Sequence, residues 1–245
     1  MLTVALDAGI PVESVYVDSS LIGAGDPVSM LVDRCLAAGC RVFELEAGVL
    51  ARVADTVTPQ PLLAVVPCVD LSLTGLGATD PDLVVVCVDV RDPGNAGTVL
   101  RSAEAAGAGG VIFCDGSVDV FNPKTVRASA GAIFHVPVVA GGDAADVLAH
   151  LGRWGLRRLG TSARAAQSYT GVDLVSPVAV VLGNEAHGLP AGLEGHLDGQ
   201  VSIPMAGRAE SLNVGMAAAV ICFEALRQRA AAVTAGAVPR VGRPR

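Results

Sequence analysis

Residues 83–90 (LVVVCVDV) form an apolar run broken only by Asp89. A run of this length without polar alternation suits a strand covered on both faces, the situation of an inner strand in a parallel sheet. The chain beyond it keeps to that plan. Helices are predicted over residues 96–106, 123–134 and 143–154, and strands over 110–114, 158–161, 178–182 and 201–203. Alternating strands and helices make an α/β fold, with a parallel sheet and helices on its faces. Loops that follow parallel strands gather on one edge of such a sheet, where α/β proteins bind their ligands.

The segment in front has a smaller α/β pattern. Residues 12–18 alternate as a strand, Asp26-Pro27 opens a helix that stops at Gly39, and residues 40–45, 48–54 and 61–67 read as strand, short helix and strand. Residues 1–8 read as the tail of a helix, so an element is expected to be missing in front or the start to lie upstream. Residues 69–80 (VDLSLTGLGATD), poor in charge and rich in Gly, Ser and Thr, read as a linker. The expected organisation is a small α/β domain over 1–75, a larger domain over 76–232 and a disordered tail over 233–245.

Composition narrows the chemistry. Aromatic residues are only 3% of the chain against 51% hydrophobic residues, so its cores must be built from Val, Leu, Ala and Ile. No apolar run is both long and uncharged enough to cross a bilayer, and no charged-then-apolar leader opens the chain, so a cytoplasmic protein without a membrane partner is expected. Six cysteines without a C-x-x-C pair read as reduced core residues, and four histidines without ligand spacing complete the case against a metal site. The net charge of −7 disfavours broad, non-specific nucleic-acid binding. It is unevenly spread: residues 1–75 hold nine Asp/Glu and three Arg, residues 76–245 fifteen and fourteen basic residues. An RNA-facing surface would therefore be local, built by Arg101, Lys124, Arg127, Arg164 and Arg208.

Three loops after predicted strands carry polar groups. In the first (DVRDPGNAGTVLRSAEAAG, residues 89–107), Asn95 is expected to cap a helix, Gly94 and Gly97 to allow a close approach, and Arg101 to stand about two turns in. An isolated arginine on such a helix more often simply faces solvent. The glycine spacing is neither a Walker loop nor G-x-G-x-x-G. In the second (VAVVLGNEAHGLP, residues 178–190), Glu185 could equally meet a ligand or cap a neighbouring helix, and His187 reads as a surface residue. In the third (residues 201–213), Pro204 ends a strand and Ser211 and Asn213 are helix-start residues.

Taken in order, N-x-G-x-x-x-R-x-A, L-G-N-E-x-x-G-L and I-P-M-x-G-x-x-x-S-L-N-V resemble the three signature motifs of the SpoU (TrmH) family of RNA 2′-O-ribose methyltransferases, in the SPOUT superfamily. The resemblance covers residues 83–230, and residues 1–75 resemble the small α/β domain often found in front of it, which implies that they bind the RNA substrate. It implies a C-terminal domain with a deep trefoil knot, S-adenosyl-L-methionine as cofactor, a homodimer, and RNA as substrate, ribosomal RNA before transfer RNA. By position it implies cofactor contacts at Thr161, Gly183, Asn184, Ile203, Met205 and Leu212, mostly through backbone groups. Arg101 matches the family's catalytic arginine, with Asn95, Glu185, Ser211 and Asn213 as its polar surroundings. Because a free guanidinium loses its proton only above about pH 12, Arg101 is expected to grip the adjoining phosphate and orient or electrostatically activate the ribose hydroxyl, with literal proton removal by Arg101 as the second version. Gly215 departs from the serine common in the family at its position, and is expected to serve close helix packing. The competing readings are a tRNA 2′-O-methyltransferase of the same family and a non-catalytic RNA-binding or ribosome-assembly protein that kept the fold.

Overall fold

The computed structural model describes residues 1–22, 26–53 and 60–236. Contacts divide the chain into two units, Met1–Cys68 and Val69–Arg245. The first unit holds helix α1 (Leu2–Asp7), strand β1 (Ser14–Val17), helix α2 (Pro27–Ala37), strand β2 (Arg41–Glu44), helix α3 (Val49–Val53) and strand β3 (Leu62–Val65). Helix α2 starts where its sequence dictates, with the Asp26 side chain accepting from the Val28 amide and Pro27 in the first turn. The sheet order is β2-β1-β3, parallel between β1 and β2 and antiparallel between β1 and β3. Val15 and Val17 alternate into a core with Leu2, Cys35 and Cys40. Cys68, expected in a core, is exposed instead. Residue 54, at the end of the predicted helix 48–54, lies outside the described residues.

The second unit begins with helix α4 (Leu73–Gly77), inside the stretch that reads as a linker. The residues that suggest a linker are the ones this short helix uses. Ser72 caps it through the Gly75 amide, Leu76 is wholly buried, and a Cβ on Gly77 would lie 2.5 Å from the Trp154 ring.

Next come β4 (Leu83–Cys87), α5 (Pro93–Ala105), β5 (Gly110–Phe113), α6 (Pro123–Ala128), β6 (Val138–Ala140), α7 (Ala144–Arg153), β7 (Arg157–Thr161), β8 (Val178–Leu182), β9 (Gly199–Val201) and α8 (Val214–Thr234). Strand β6 has three residues, too few for a sequence pattern, and was not expected. The predicted helix 123–134 is broken by Ala130 and Gly131, both at positive φ, and resumes as a 3-10 turn at Ala132–Phe134. The last strand sits two residues earlier than expected, with only Ser202 continuing it as an isolated bridge to Ser168.

The sheet runs β6-β5-β4-β8-β7-β9, every pair parallel. Alternate residues of β4 enter opposite cores: Leu83, Val85 and Cys87 on one face, Val84 and Val86 on the other. Helices α5 and α8, the Ala132–Phe134 turn and the β7–β8 connection (Val172, Leu174) pack on the first face. Helix α7 and Leu193 of the β8–β9 connection pack on the second. Connections that step toward β6 therefore cross one face and those that step toward β9 cross the other, as a single crossover hand requires. No described helix is long and apolar enough to cross a membrane.

Helix α8 continues through Thr234, so residues 233 and 234, expected in a disordered tail, are helical. Residues 237–245, the rest of that tail, lie outside the described residues. Its last turns are anchored by polar contacts. Gln228 donates to the Val172 carbonyl and accepts from the Leu174 amide, while Arg229 donates to the Leu174 and Asp82 carbonyls.

Glu224, 9% exposed, accepts from Arg227 and Gln228, and Arg227 first among these holds its carboxyl down at about 2. A carboxylate whose value is lower in the folded chain stabilises it fully above its unfolded value of about 4.3 and loses that effect as pH falls. Glu224→Gln should therefore melt below the wild type at pH 6, with the gap closing between about pH 4 and pH 2. A gap that does not change with pH in thermal melts would rule this coupling out.

Candidate active site

Helix α5 begins one turn earlier than its sequence suggests, because Asp92 is the cap: its Oδ1 accepts from the Asn95 amide at 2.8 Å, with Pro93 in the first turn. Asn95, expected to be the cap, is thereby released. Its Nδ2 donates to Glu185 Oε1 at 2.9 Å, and its Oδ1 accepts from Asn213 Nδ2 at 2.7 Å. Asn213 in turn caps α8, its Oδ1 accepting from the Gly215 and Met216 amides. The direction of this relay is forced. Backbone amides only donate, so Asn213 must offer its Nδ2 to Asn95, whose own Nδ2 then meets a carboxylate that only accepts. Glu185 also lies 3.5 Å from the Asp92 amide, so it faces the positive end of α5 as well. Of the two readings of Glu185, the structure shows the contact with a neighbouring helix terminus.

These loops meet because β4 and β8 are neighbours whose chains leave in opposite directions, one toward β5 and the other toward β9. That divergence opens a crevice at their carboxyl ends. Asn184 closes its floor, donating through Nδ2 to the Asp89 carbonyl at 2.9 Å and to Asp89 Oδ2 at 3.1 Å. Its own Oδ1 accepts from the Ala186 and His187 amides. Asp89 sits at φ 55, an unusual conformation for a residue with a side chain, and these bonds hold it there. Asp89 and Asp92 are the site residues that sequence reasoning missed. The signal was present for Asp92, an acidic residue directly before Pro93-Gly94, which is a helix-start pattern.

Two close approaches place α5. A Cβ on Gly97 would lie 2.3 Å from the Ala128 Cβ and 2.8 Å from the Ser129 amide nitrogen, so α5 abuts α6 there. A Cβ on Gly215 would lie 2.8 Å from the Thr98 Cβ, so the unusual glycine does serve close packing, between α5 and α8. Arg101, one turn beyond Gly97, is exposed and forms no ion pair with another described residue. Ser211 is exposed in the loop before α8. The structure thus joins Asn95, Glu185 and Asn213, while the side chains of Arg101 and Ser211 bond to no other described residue. His187 is exposed, its Nδ1 against Asn184 Oδ1.

Strands β8, β7 and β9 are adjacent, so the residues implied for the cofactor end on one edge. Thr161 donates from Oγ1 to the Val181 carbonyl. Gly183 admits no side chain, since a Cβ would lie 2.4 Å from the Gly188 carbonyl carbon, where Asn184 and Gly188 exchange backbone hydrogen bonds. Ile203 and Leu212 are half-buried and Met205 is 36% exposed. Among the described residues, none bonds to the backbone of residues 203–212, so its amides and carbonyls remain free for a ligand. Free backbone groups beside Ile203, Met205 and Leu212 fit a cofactor that has both an adenine ring and polar substituents. In the cores on the two faces of the sheet, burial pushes the Cys222 and Cys114 thiols up to about 12, which keeps them protonated near neutral pH.

Two substitutions test this geometry. Asn95→Asp sets a carboxylate against Glu185 and removes the donor between them, so it should lower activity more than Asn213→Ala does, measured as turnover at saturating substrate. Gly183→Ala should destabilise the fold by about 1–3 kcal/mol in denaturant unfolding, because the neighbour it meets is backbone.

The SpoU rRNA Methylase family model matches residues 82–223. The 23S rRNA (guanosine(2553)-2′-O)-methyltransferase RlmP of Bacillus subtilis is 34% identical over 188 residues, 77% of this chain and 73% of the relative. The 23S rRNA (guanosine-2′-O-)-methyltransferase RlmB of Xanthomonas axonopodis is 43% identical over 147 residues, 60% of this chain and 59% of the relative. The crystal structure of the SpoU methyltransferase AviRb from Streptomyces viridochromogenes in complex with AdoMet superposes with a TM-score of 0.81 at 28% identity, covering 94% of this chain and 87% of that one. With the three loops joined as described, these matches show that the chain belongs to the SpoU rRNA methylase family.

Proposed function

We propose that this protein transfers a methyl group from S-adenosyl-L-methionine to a ribose 2′-hydroxyl of ribosomal RNA. The observation that carries the reading is the Asn213–Asn95–Glu185 relay, which ties the starts of α5 and α8 beside the edge with free backbone groups. The relatives named above act on 23S rRNA, which favours ribosomal over transfer RNA.

The cofactor supplies a methyl carbon already activated by its sulfonium. In the transfer the ribose oxygen would bond to that carbon as the sulfur–carbon bond breaks, its electron pair staying on sulfur to give a neutral thioether, and the hydroxyl proton would pass to solvent water. The protein's share is alignment and assistance to proton loss. Thr161, Gly183, Asn184, Ile203, Met205 and Leu212 hold the cofactor, with the apolar Ile203 and Met205 flanking its adenine. Arg101, unpaired and exposed, grips the phosphate next to the target ribose and orients its hydroxyl. The relay holds α5, and with it Arg101, in register with the cofactor edge, and Ser211 joins once RNA is bound.

The wider arrangement follows the same reading. The β7–β8 connection bonds to the chain leaving β9 (Ser202 with Gln167 and Tyr169) and to α8 (Gln228 and Arg229). A loop that embraces the C-terminal segment at both ends supports a trefoil knot. Met216, Phe223, Leu226 and Val233 form an exposed apolar stripe at helical spacing on α8, which supports a homodimer through this helix. The 1–75 segment serves as the substrate-binding domain, and a ribosomal RNA substrate places the protein in the cytoplasm.

The test is tritiated-methyl transfer to separated unmodified rRNA and tRNA, followed by nucleoside mapping. Label in 2′-O-methylribose of rRNA is expected; label confined to tRNA would overturn the rRNA assignment. Arg101→Ala should keep its affinity for S-adenosyl-L-methionine by calorimetry and lose at least about 100-fold in turnover. Wild-type turnover in that variant would refute the role given to Arg101.

A further inference from the structure

In an acidic chain, several basic side chains of the second unit are already committed to partners within the fold. Arg91, Arg158, Arg227 and Arg229 each pair with a carboxylate, and Arg157 donates to the Asp173 carbonyl. Among the described residues, Arg101, Arg153, Arg164 and Arg208 have no such partner, nor do Lys124, the chain's sole lysine, and Arg127, which alone among these six share one helix. Both are exposed, and neither side chain is bonded to another described residue. They lie three apart on α6, which makes them neighbours on its surface. The opposite side of that helix is fixed inward by Thr125 and Ser129, both wholly buried, so the two cations are held outward by the packing.

Their position along the fold follows from topology. Helices α5 and α6 each join two parallel neighbours, so both start past the carboxyl edge and run toward the amino edge. The last residue of α6, Ala128, touches Gly97 in the first turns of α5. The turns of α6 before it therefore stand at the carboxyl edge, beside the start of α5 that carries Asn95. The loop leading into α6 also carries two acids, each held by a backbone amide: Asp115 accepts from Gly142 and Asp119 from Phe121. Arg153, also without an ion pair among the described residues, ends α7 on the other face of the sheet.

We propose that Lys124 and Arg127 grip the phosphodiester backbone of the RNA strand flanking the target ribose. The inference rests on the proposed function and assigns these two a positioning role, with no part in methyl transfer. Charge complementarity carries it: the polyanion can meet unpaired cations at the site edge although the whole chain is acidic.

The test is binding of unmodified 23S rRNA transcript across a salt series, with steady-state methylation in parallel, for wild type, Lys124→Gln, Arg127→Gln, the double variant and Arg153→Gln. Each α6 substitution should reduce the slope of log affinity against log salt by about 1. The double variant should raise KM for RNA about tenfold, while kcat and the affinity for S-adenosyl-L-methionine stay at wild-type values, the latter also reporting an intact fold. Lys124→Arg should restore binding, and Arg153→Gln should behave as wild type. A double variant with wild-type salt slope and KM overturns the inference and leaves the proposed function standing. A wild-type protein that neither binds the transcript nor methylates it overturns both.

Discussion

An all-parallel sheet can be closed only by connections of one hand, and everything at the site depends on that constraint. In this chain the steps toward β6 pass over one face and the steps toward β9 over the other. Neighbouring β4 and β8 therefore send their chains apart, and the crevice between them is the one place where the loops after both strands can meet. Asn184 spans it to Asp89, and Glu185 beside it reaches Asn95. No loop here carries the site alone.

The polar contacts are arranged so that each group does one job. Asp92 caps α5 and Asn213 caps α8, which satisfies amides that would otherwise be orphaned. What remains free, Asn95 with one amide and Asn213 with its Nδ2, links the two helix starts to Glu185. A relay of this kind is rigid because every member is both fixed by the backbone and satisfied by a partner. Arg101, by contrast, is left unpaired on a helix held in place by glycine contacts on two sides, its own Gly97 against α6 and Gly215 of α8 against its Thr98. A rigid floor beneath an unpaired cation suits a protein whose substrate brings its own negative charge.

Sequence reasoning recovered the α/β class, the order of most elements and the loops that matter, because each rests on local rules. Continuous apolar runs announce inner strands, and Asn213 announces a helix start whatever surrounds it. It failed where two residues compete for one task. Asn95 and Asp92 both suit a cap, and only the packed loop shows that Asp92 takes it and frees Asn95. It failed also where a segment is too short for a pattern, as in β6, and where Gly and Ser serve a small helix, as in α4.

The sequence by itself therefore determined which residues could do chemistry, since polar groups in three loops after apolar strands are legible without coordinates. Tertiary structure alone decided which of them touch. Asn95 and Asn213 are 118 positions apart in the chain and 2.7 Å apart in space, a distance set by strand order and helix packing. Those are long-range choices made by the whole core, and no window of sequence contains them.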